Sequence, residues 1–235
     1  NESKATGGGS AILPTPAIGG VGLLENWEKS ATIALKRVEH GALFLIGGDG
    51  QNLGQSAWLR DCRNQSAGEP PPVDLDAERR SAELVRRLID EGKVHAAHDI
   101  SDGGLLVALA EMCLAGGVGA WLDLLPPHQR SLTRQCFGED QGRYLVQMHI
   151  DEWTRATEGD DDELAYLGRW IGGVGRDSLS IQWSEEGMEA RDRKGWITIT
   201  PKEPNQIADI PLADLRAAHE GFFPALMGNE LTPEF

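Results

Sequence analysis

The sequence predicts an α+β domain with a mixed β-sheet and helices packed against it. Short apolar runs typical of buried strands, such as GALFLIGG at 41–48, are interspersed with segments whose apolar residues recur at helical spacing. These segments do not follow the strict strand–helix–strand rhythm of a doubly wound parallel sheet. A mixed sheet is therefore predicted.

Residues 1–40 are predicted to precede this domain. The stretch AILPTPAIGGVGLL at 11–24 combines β-branched residues with Pro and Gly, which is typical of extended chain interrupted by bends. Further on, Trp27, Ile33, Leu35 and Val38 lie at a weak helical spacing. We therefore expect a connecting helix in this region and place the principal domain at 41–235.

The principal domain begins with the apolar run at 41–48 and continues with two predicted helices. The first has Leu84 and Leu88 on its apolar face, is capped by Asp74 or Asp76, and ends at Gly92. The run KVHAAHDI is then read as a strand. Apolar residues at helical spacing predict a second helix, ended by a pair of glycines: Leu105, Leu106, Leu109, Met112, Cys113, Gly116 and Gly117.

The chain from residue 142 onward is predicted to contain three more strands and two helices. The strand candidates are GRYLVQMHI at 142–150, SLSIQW at 178–183 and GWITIT at 195–200. A short helix is expected within DDDELAYLGRW, whose acidic start suits a helix N-terminus. The segment PLADLRAAHEGFF is predicted to form a final helix over the sheet.

Composition limits the classes of partner. Lys and Arg number 22 against 37 Asp and Glu, so the net charge of −15 disfavours nucleic acid and anionic membranes. No apolar run is long enough to span a bilayer, and the N-terminus lacks a secretory signal, so we expect a cytoplasmic protein. The three widely spaced cysteines predict free thiols. The Gly-rich opening at Asn1 suggests a fragment of a larger protein.

The segment HDISDGG at 98–104 is the first candidate site. If a strand ends near His98 and a helix starts near Asp102, the side chains between them lie where free backbone N–H groups suit an anion. Carboxylates at Asp99 and Asp102 repel a bare phosphate but suit Mg²⁺ bound with one. Gly103 and Gly104 would let a nucleotide approach the backbone.

A structural interpretation of the same segment stays open. Ser101 or Asp102 could cap the helix, and the two glycines could form a tight turn. His95 and His98 point to opposite faces of a strand, which predicts packing roles and no shared metal. A second candidate site is the turn Glu139, Asp140 and Gln141 before a strand, followed by Arg143, which is either a ligand site or a charged turn.

Four segments, in order, resemble the C-terminal part of the synthetase subunit of phosphoribosylformylglycinamidine synthase. They are AILPTPAIGGVGLLE, AHDISDGGLLVALAEM, FGEDQGRYLV and IPLADLRAAHEGFFPALM. The resemblance covers nearly the whole chain. It implies an α+β domain like the C-terminal domain of aminoimidazole ribonucleotide synthetase at 41–235, preceded by the tail of a barrel-forming domain.

The resemblance also implies an activity. The family converts formylglycinamide ribonucleotide to formylglycinamidine ribonucleotide in de novo purine biosynthesis, using ATP, Mg²⁺ and ammonia derived from glutamine. A glutaminase subunit and a small bridging subunit are the implied partners. The family's catalytic histidine region and main ATP loop lie upstream of the matching segments. No catalytic residue is therefore predicted in this chain, and the chain alone is expected to be inactive.

Site residues follow from the same resemblance. Asp99 falls at a Mg²⁺ ligand and Ser101 at a nucleotide contact of an auxiliary ADP site, with Asp102, Gly103 and Gly104 beside it. Glu139, Asp140 and Gln141 occupy the place where the first half of the family's enzyme holds substrate through a Glu-Ser-Gln turn. Asp140 replaces the Ser, and its negative charge disfavours a ribose phosphate there.

Two other functions stay open. One is a noncatalytic module that supports the first half of the enzyme and docks its partner subunits. The other is a stand-alone metal-dependent phosphohydrolase using Asp99 and Asp102, although no further carboxylate or histidine motif completes a two-metal site. Binding of ADP that depends on Mg²⁺ separates the nucleotide site from the purely structural module.

Overall fold

The structure is a computed structural model and describes residues 18–184 and 205–227. Its strands are β1 Gly41–Ile46, β2 Val94–Asp99, β3 Gly119–Leu124, β4 Tyr144–His149, β5 Gly168–Arg176, β6 Ser178–Trp183 and β7 Asn205–Pro211. Its α-helices are α1 Leu75–Asp90, α2 Gly104–Gly116, α3 Leu132–Phe137, α4 Ile150–Arg155, α5 Asp162–Leu167 and α6 Leu212–Met227. Short π-helical segments occupy Trp58–Cys62 and Ala156–Asp160.

The strands form one mixed sheet, as predicted. Their order is β2-β4-β1-β5-β3-β6-β7. Within the described residues, β3 and β6 pair in parallel and the other neighbours pair antiparallel. The α+β class is therefore confirmed. Strand β4 pairs with both β1 and β2, so the turn before β4 is brought beside the end of β2.

Helices cover both faces of the sheet, and strand β1 shows why. Leu43 and Leu45 face the cluster that contains α2, whereas Phe44 and Ile46 face the cluster that contains α1. All four side chains are almost completely buried. A strand buried on both faces reads as a continuous apolar run, which is the pattern of GALFLI.

The N-terminus of α1 illustrates a local signal that sequence analysis identified correctly. Oδ1 of Asp74 accepts hydrogen bonds from the backbone N–H groups of Asp76, at 3.1 Å, and Ala77, at 2.9 Å. These bonds satisfy two of the donors that the first helical turn leaves without partners. Asp74, and not Asp76, is therefore the cap.

One predicted element is absent from the structure, and two strands were not predicted. The prediction of a connecting helix is wrong, because residues 26–38 contain no helix and form irregular chain. Strands β3 and β5 were not predicted; β5 contains Gly172 and Gly173, and Gly173 lies against the indole of Trp121, where a Cβ would come within 2.8 Å of the ring nitrogen. The predicted strand at 195–200 lies outside the described residues, and β7 occupies a later segment.

Within the described part of the chain, no helix has the length and apolar character needed to cross a membrane. The three cysteines, Cys62, Cys113 and Cys136, are free. Cys113 is fully buried in α2, and burial raises the pKa of its thiol to about 12. It therefore behaves as an apolar core residue, as predicted.

Candidate functional site

A cleft of about 360 Å³ lies where β2 leads into α2, beside the turn that enters β4. Its lining includes Asp99, Ser101 and Asp102 from the first candidate site and Glu139 and Gln141 from the second. The fold therefore brings the two candidate sites together. The remaining lining residues are Gly54, Gln55, Pro70, Pro71, Glu78, Ile100, Gly142, Arg143 and Tyr144.

The start of α2 differs from the predicted one. The helix begins at Gly104, and the N-cap residue is Gly103, with φ of 84° and no side-chain cap. Gly104 also has a positive φ of 72°, and its N–H donates to the carbonyl of Ser101 at 3.0 Å. The expectation that Ser101 or Asp102 caps the helix is therefore wrong. The tight turn that the two glycines were expected to form is present.

The two glycines pack against protein. A Cβ on Gly104 would lie 2.8 Å from the carbonyl oxygen of Gly138 and from the Cα of Phe137. A Cβ on Gly103 would collide with the side chain of Val107. Both residues therefore combine a left-handed backbone with a close approach that excludes a side chain. Neither lines the cleft, so the nucleotide contact predicted for them remains a prediction.

Glu139 occupies the place where a bound anion was expected. Its Oε1 accepts hydrogen bonds from the N–H of Gly103, at 2.7 Å, and from the N–H of Ala57, at 2.8 Å. Gly103 caps α2, and Ala57 caps the π-helical segment Trp58–Cys62. An ionised carboxylate is a strong acceptor for such donors and complements the positive end of a helix. Glu139, which lines the cleft, thus joins two helical N-termini.

Asp140 bonds to a neighbouring loop. Its Oδ2 accepts from the N–H of Gln51, at 2.6 Å, and from that of Asn52, at 2.9 Å, while Oδ1 accepts from Nδ2 of Asn52 at 2.8 Å. Burial alone would raise the pKa of this carboxyl. The bonds from Asn52 and Gln51, together with the charge of Arg143, outweigh burial and hold the pKa below its ordinary value.

Arg143 supports the turn from inside the protein. Its side chain is buried, with 2% of the residue exposed. Nε donates to the carbonyl of Asp140 at 3.1 Å, and Nη2 donates to the carbonyl of Gly138. Burial lowers the pKa of the guanidinium, while Asp140 and Asp49 act in the opposite direction. The sequence indicated this residue only by its position directly after the acidic turn.

In contrast, Asp99, Ser101 and Asp102 present their side chains to solvent. The side chain of Asp99 is 66% exposed, and its Oδ1 lies 3.2 Å from Nδ1 of His98. Asp102 makes no hydrogen bond or ion pair with another described residue, although it contributes to raising the pKa of Arg60. These three side chains therefore have oxygen atoms available for a ligand.

The oxygen donors fit Mg²⁺ bound together with a phosphate. Mg²⁺ prefers oxygen ligands and usually takes one or two protein carboxylates, with phosphate and water completing its shell. Asp99 and Asp102 meet that requirement. In the described residues, no group of three or more His, Cys, Asp or Glu side chains is arranged to hold a metal without such help.

Most of the charged side chains that line the cleft are acidic. Glu78, Asp99, Asp102 and Glu139 line it, against the single buried guanidinium of Arg143. The pKa of the Tyr144 hydroxyl is raised, chiefly by burial and then by the negative charges of Glu78 and Asp99. A bare anion is therefore disfavoured, whereas a cation or a cation-bound anion is favoured.

The comparison with protein families identifies the domain. Residues 39–159, just over half of the chain, match the family described as AIR synthase related protein, C-terminal domain. The chain belongs to this family.

Curated relatives extend the match. The chain is 44% identical over 223 residues to phosphoribosylformylglycinamidine synthase subunit PurL of Novosphingobium aromaticivorans, covering 95% of the chain and 25% of the relative. It is 54% identical over 145 residues to the subunit of the same name from Nitrobacter hamburgensis, covering 60% of the chain and 19% of the relative. The predicted resemblance is confirmed. The chain spans about a quarter or less of these relatives' length.

Solved structures support the fold. PurL of Thermotoga maritima complexed with FGAR has a TM-score of 0.59 at 17% identity, covering 80% of this chain and 30% of that one. The same protein complexed with ATP has a TM-score of 0.55 at 17% identity, covering 80% of this chain and 27% of that one. At these identities the similarity concerns the fold.

Proposed function

We propose that this chain is the C-terminal part of an ATP-dependent synthetase that converts formylglycinamide ribonucleotide to formylglycinamidine ribonucleotide in de novo purine biosynthesis, and that its cleft holds a Mg²⁺-bound nucleotide. The names of the curated relatives support the first part. The convergence of Asp99, Ser101 and Asp102 in one acidic cleft carries the second. Complexes of the Thermotoga maritima protein with ATP and ADP are consistent with it.

Each cleft residue has a role in this proposal. Asp99 provides a carboxylate oxygen to Mg²⁺, and Asp102 adds negative charge on the same side of the cleft. The hydroxyl of Ser101 donates to a phosphate oxygen. Bound Mg²⁺ neutralises phosphate charge, which allows a nucleotide to enter a cleft that repels a bare anion.

Within the acidic turn, Gln141 is the proposed contact to substrate. The carboxylates of Glu139 and Asp140 are already bonded to backbone N–H groups. Gln141 is exposed, lines the cleft and makes no hydrogen bond to another described residue. Of the three residues predicted to contact substrate, Gln141 is therefore the one whose side chain makes no hydrogen bond within the described residues, and we assign the contact to it.

The remaining assignments belong to the same proposal. Residues 1–40 form the tail of a preceding barrel-forming domain, which suits the exposed apolar side chains of Val21, Leu23 and Trp27. The partners are a glutaminase subunit and a small bridging subunit, consistent with a Thermotoga maritima structure named PurLQS. The protein acts in the cytoplasm, and the chain alone does not catalyse the reaction.

Calorimetric titration of ADP, with and without Mg²⁺, tests the nucleotide site in the intact synthetase. Asp99→Asn removes the charge that the metal needs while keeping the size of the side chain. We expect it to weaken the Mg²⁺-dependent component about 10- to 100-fold, the change produced by losing roughly 1.5–3 kcal/mol.

Glu163→Gln is the matched control, because it removes one carboxylate charge from α5 at a position that does not line the cleft. It should leave ADP binding unchanged. If Asp99→Asn binds as the wild type does, or if no Mg²⁺-dependent binding to this cleft occurs, the domain is better described as a structural and docking module.

A further inference from the structure

The ring of His98 lies between two carboxylates. Its Nδ1 is 3.2 Å from Oδ1 of Asp99, and its Nε2 is 3.0 Å from Oε2 of Glu111. The histidine side chain is only 14% exposed, whereas those of Asp99 and Glu111 are 66% and 46% exposed. A largely buried ring on β2 therefore connects a residue of α2 to the cleft residue Asp99.

The arrangement restrains an otherwise exposed carboxylate. An ionised carboxylate only accepts hydrogen bonds, so in a hydrogen bond between this pair Nδ1 of His98 is the donor. His98 is held in turn by β2, whose neighbour β4 places Leu145 opposite it, and by Glu111 on the second ring nitrogen. Partners of this kind orient the carboxylates that bind metals, and their removal weakens metal affinity.

We propose that His98 is a positioning residue for Asp99, holding its carboxylate at the cleft while Glu111 fixes the ring. The proposal rests on the Mg²⁺-nucleotide site proposed above and adds two residues to it. It also extends the packing role predicted for His98. His95 differs, because its pKa is lowered chiefly by burial, then by the charges of Lys36 and His149, and it has no carboxylate partner among the described residues.

Two substitutions separate positioning from general support. The amide nitrogen of Asn can replace Nδ1 of a histidine, whereas that of Gln reaches the position of Nε2. His98→Asn therefore keeps the hydrogen bond to Asp99 and loses the one to Glu111. His98→Gln keeps the hydrogen bond to Glu111 and loses the one to Asp99. We expect His98→Gln to weaken Mg²⁺-dependent ADP binding about tenfold and His98→Asn to stay within about threefold of the wild type.

Glu111→Gln tests the outer contact from an exposed position that tolerates substitution. We expect a loss of about two- to threefold in Mg²⁺-dependent ADP affinity, with thermal unfolding unchanged. In an Asp99→Asn background, His98→Gln should cause no further loss, because the group that it positions no longer carries the charge. A purely structural role would give the same additional loss in both backgrounds.

All variants are measured in the intact synthetase, by calorimetric titration of ADP with and without Mg²⁺ and by thermal unfolding. If His98→Gln and the wild type bind ADP with the same Mg²⁺-dependent affinity, the positioning role of His98 is overturned and the proposed nucleotide site is not. Equal losses in His98→Asn and His98→Gln, or additive losses in the double variant, also overturn it. If the wild type shows no Mg²⁺-dependent binding at the cleft, the proposed function fails and this role fails with it.

Discussion

Two acidic pairs lie at or next to the same cleft, which Glu139, Asp99 and Asp102 line and which Asp140 adjoins in sequence. The pairs differ in what their carboxylates contact. Glu139 and Asp140 accept hydrogen bonds from backbone N–H groups at 2.6–2.9 Å. Asp99 and Asp102 are exposed. Within the described chain, the only hydrogen-bond partner of either carboxylate is the ring of His98, which lies beside Asp99. We call these the bound pair and the open pair.

The difference shows that carboxylate side chains at one cleft can have a structural role or a ligand-binding role. Carboxylates of the bound pair replace water for backbone donors and so hold together the segments that shape the cleft. Those of the open pair stay hydrated and can exchange water for a metal ion. Nucleotide chemistry should therefore depend on the open pair, whereas stability should depend on the bound pair.

Glu139→Ala should have the largest effect on folding. It leaves the N–H groups of Gly103 and Ala57 without their shared acceptor at partly buried positions. Each of the two unsatisfied donors costs about 1–3 kcal/mol, so we expect the free energy of unfolding to fall by about 2–6 kcal/mol. Urea denaturation followed by circular dichroism measures this loss.

Glu139→Gln is the control for that substitution. Its amide oxygen can still accept from both donors, but it lacks the negative charge, so a loss of about 1 kcal/mol is expected. Should Glu139→Ala unfold at the same urea concentration as the wild type, Glu139 would not belong to the bound pair. The comparison would then fail at its central point.

The fold was predictable where local signals agreed with the final environment. The apolar run of β1 and the Asp74 cap of α1 are examples, because each depends on a few neighbouring residues. Strand β5 was missed because its glycines are explained by a distant contact with Trp121. The weak pattern at 26–38 failed because its apolar residues do not share one buried face: Leu35 packs into the core, whereas Trp27 and Ile33 are exposed.

Positions of the site residues were predictable, but their contacts were not. The sequence identified both acidic segments, and sheet pairing then brought them to one cleft. It could not reveal that Glu139 bonds to a residue 36 positions earlier, or that Gln51 and Asn52 supply the donors for Asp140. Such contacts join segments distant in the chain, and no local spacing rule encodes them.

Asp140→Asn should sharpen the comparison through its dependence on pH. The folded-state pKa of Asp140 lies below its ordinary value of 3.8, so the native state favours the ionised form. Its stabilising contribution is therefore complete above the unfolded pKa and is lost as pH falls through the folded pKa. At pH 7 we expect the free energy of unfolding of the wild type to exceed that of Asp140→Asn by about 1.5–3 kcal/mol.

That difference in the free energy of unfolding should shrink steadily below about pH 4, because protonation of Asp140 removes the charge that the variant already lacks. Urea denaturation at pH 7, 5, 4 and 3 measures it. Asp99→Asn, from the open pair, is the matched control and should show a small difference at each pH. A difference for Asp140→Asn that stays constant down to pH 3 would contradict the role assigned to its ionised form.

Asp102→Asn should have the smallest effect on folding. The side chain is exposed, does not cap α2 and makes no hydrogen bond or ion pair within the described residues. Surface substitutions of this kind usually change stability by less than about 0.5 kcal/mol, and we expect that limit to hold here. Its Mg²⁺-dependent ADP affinity should fall less than that of Asp99→Asn, because Asp99 is the proposed direct ligand. Denaturation and titration on the same preparation measure both quantities. A loss of stability comparable with that of Glu139→Ala would place Asp102 in the bound pair, and the contrast between the two pairs would no longer explain the cleft.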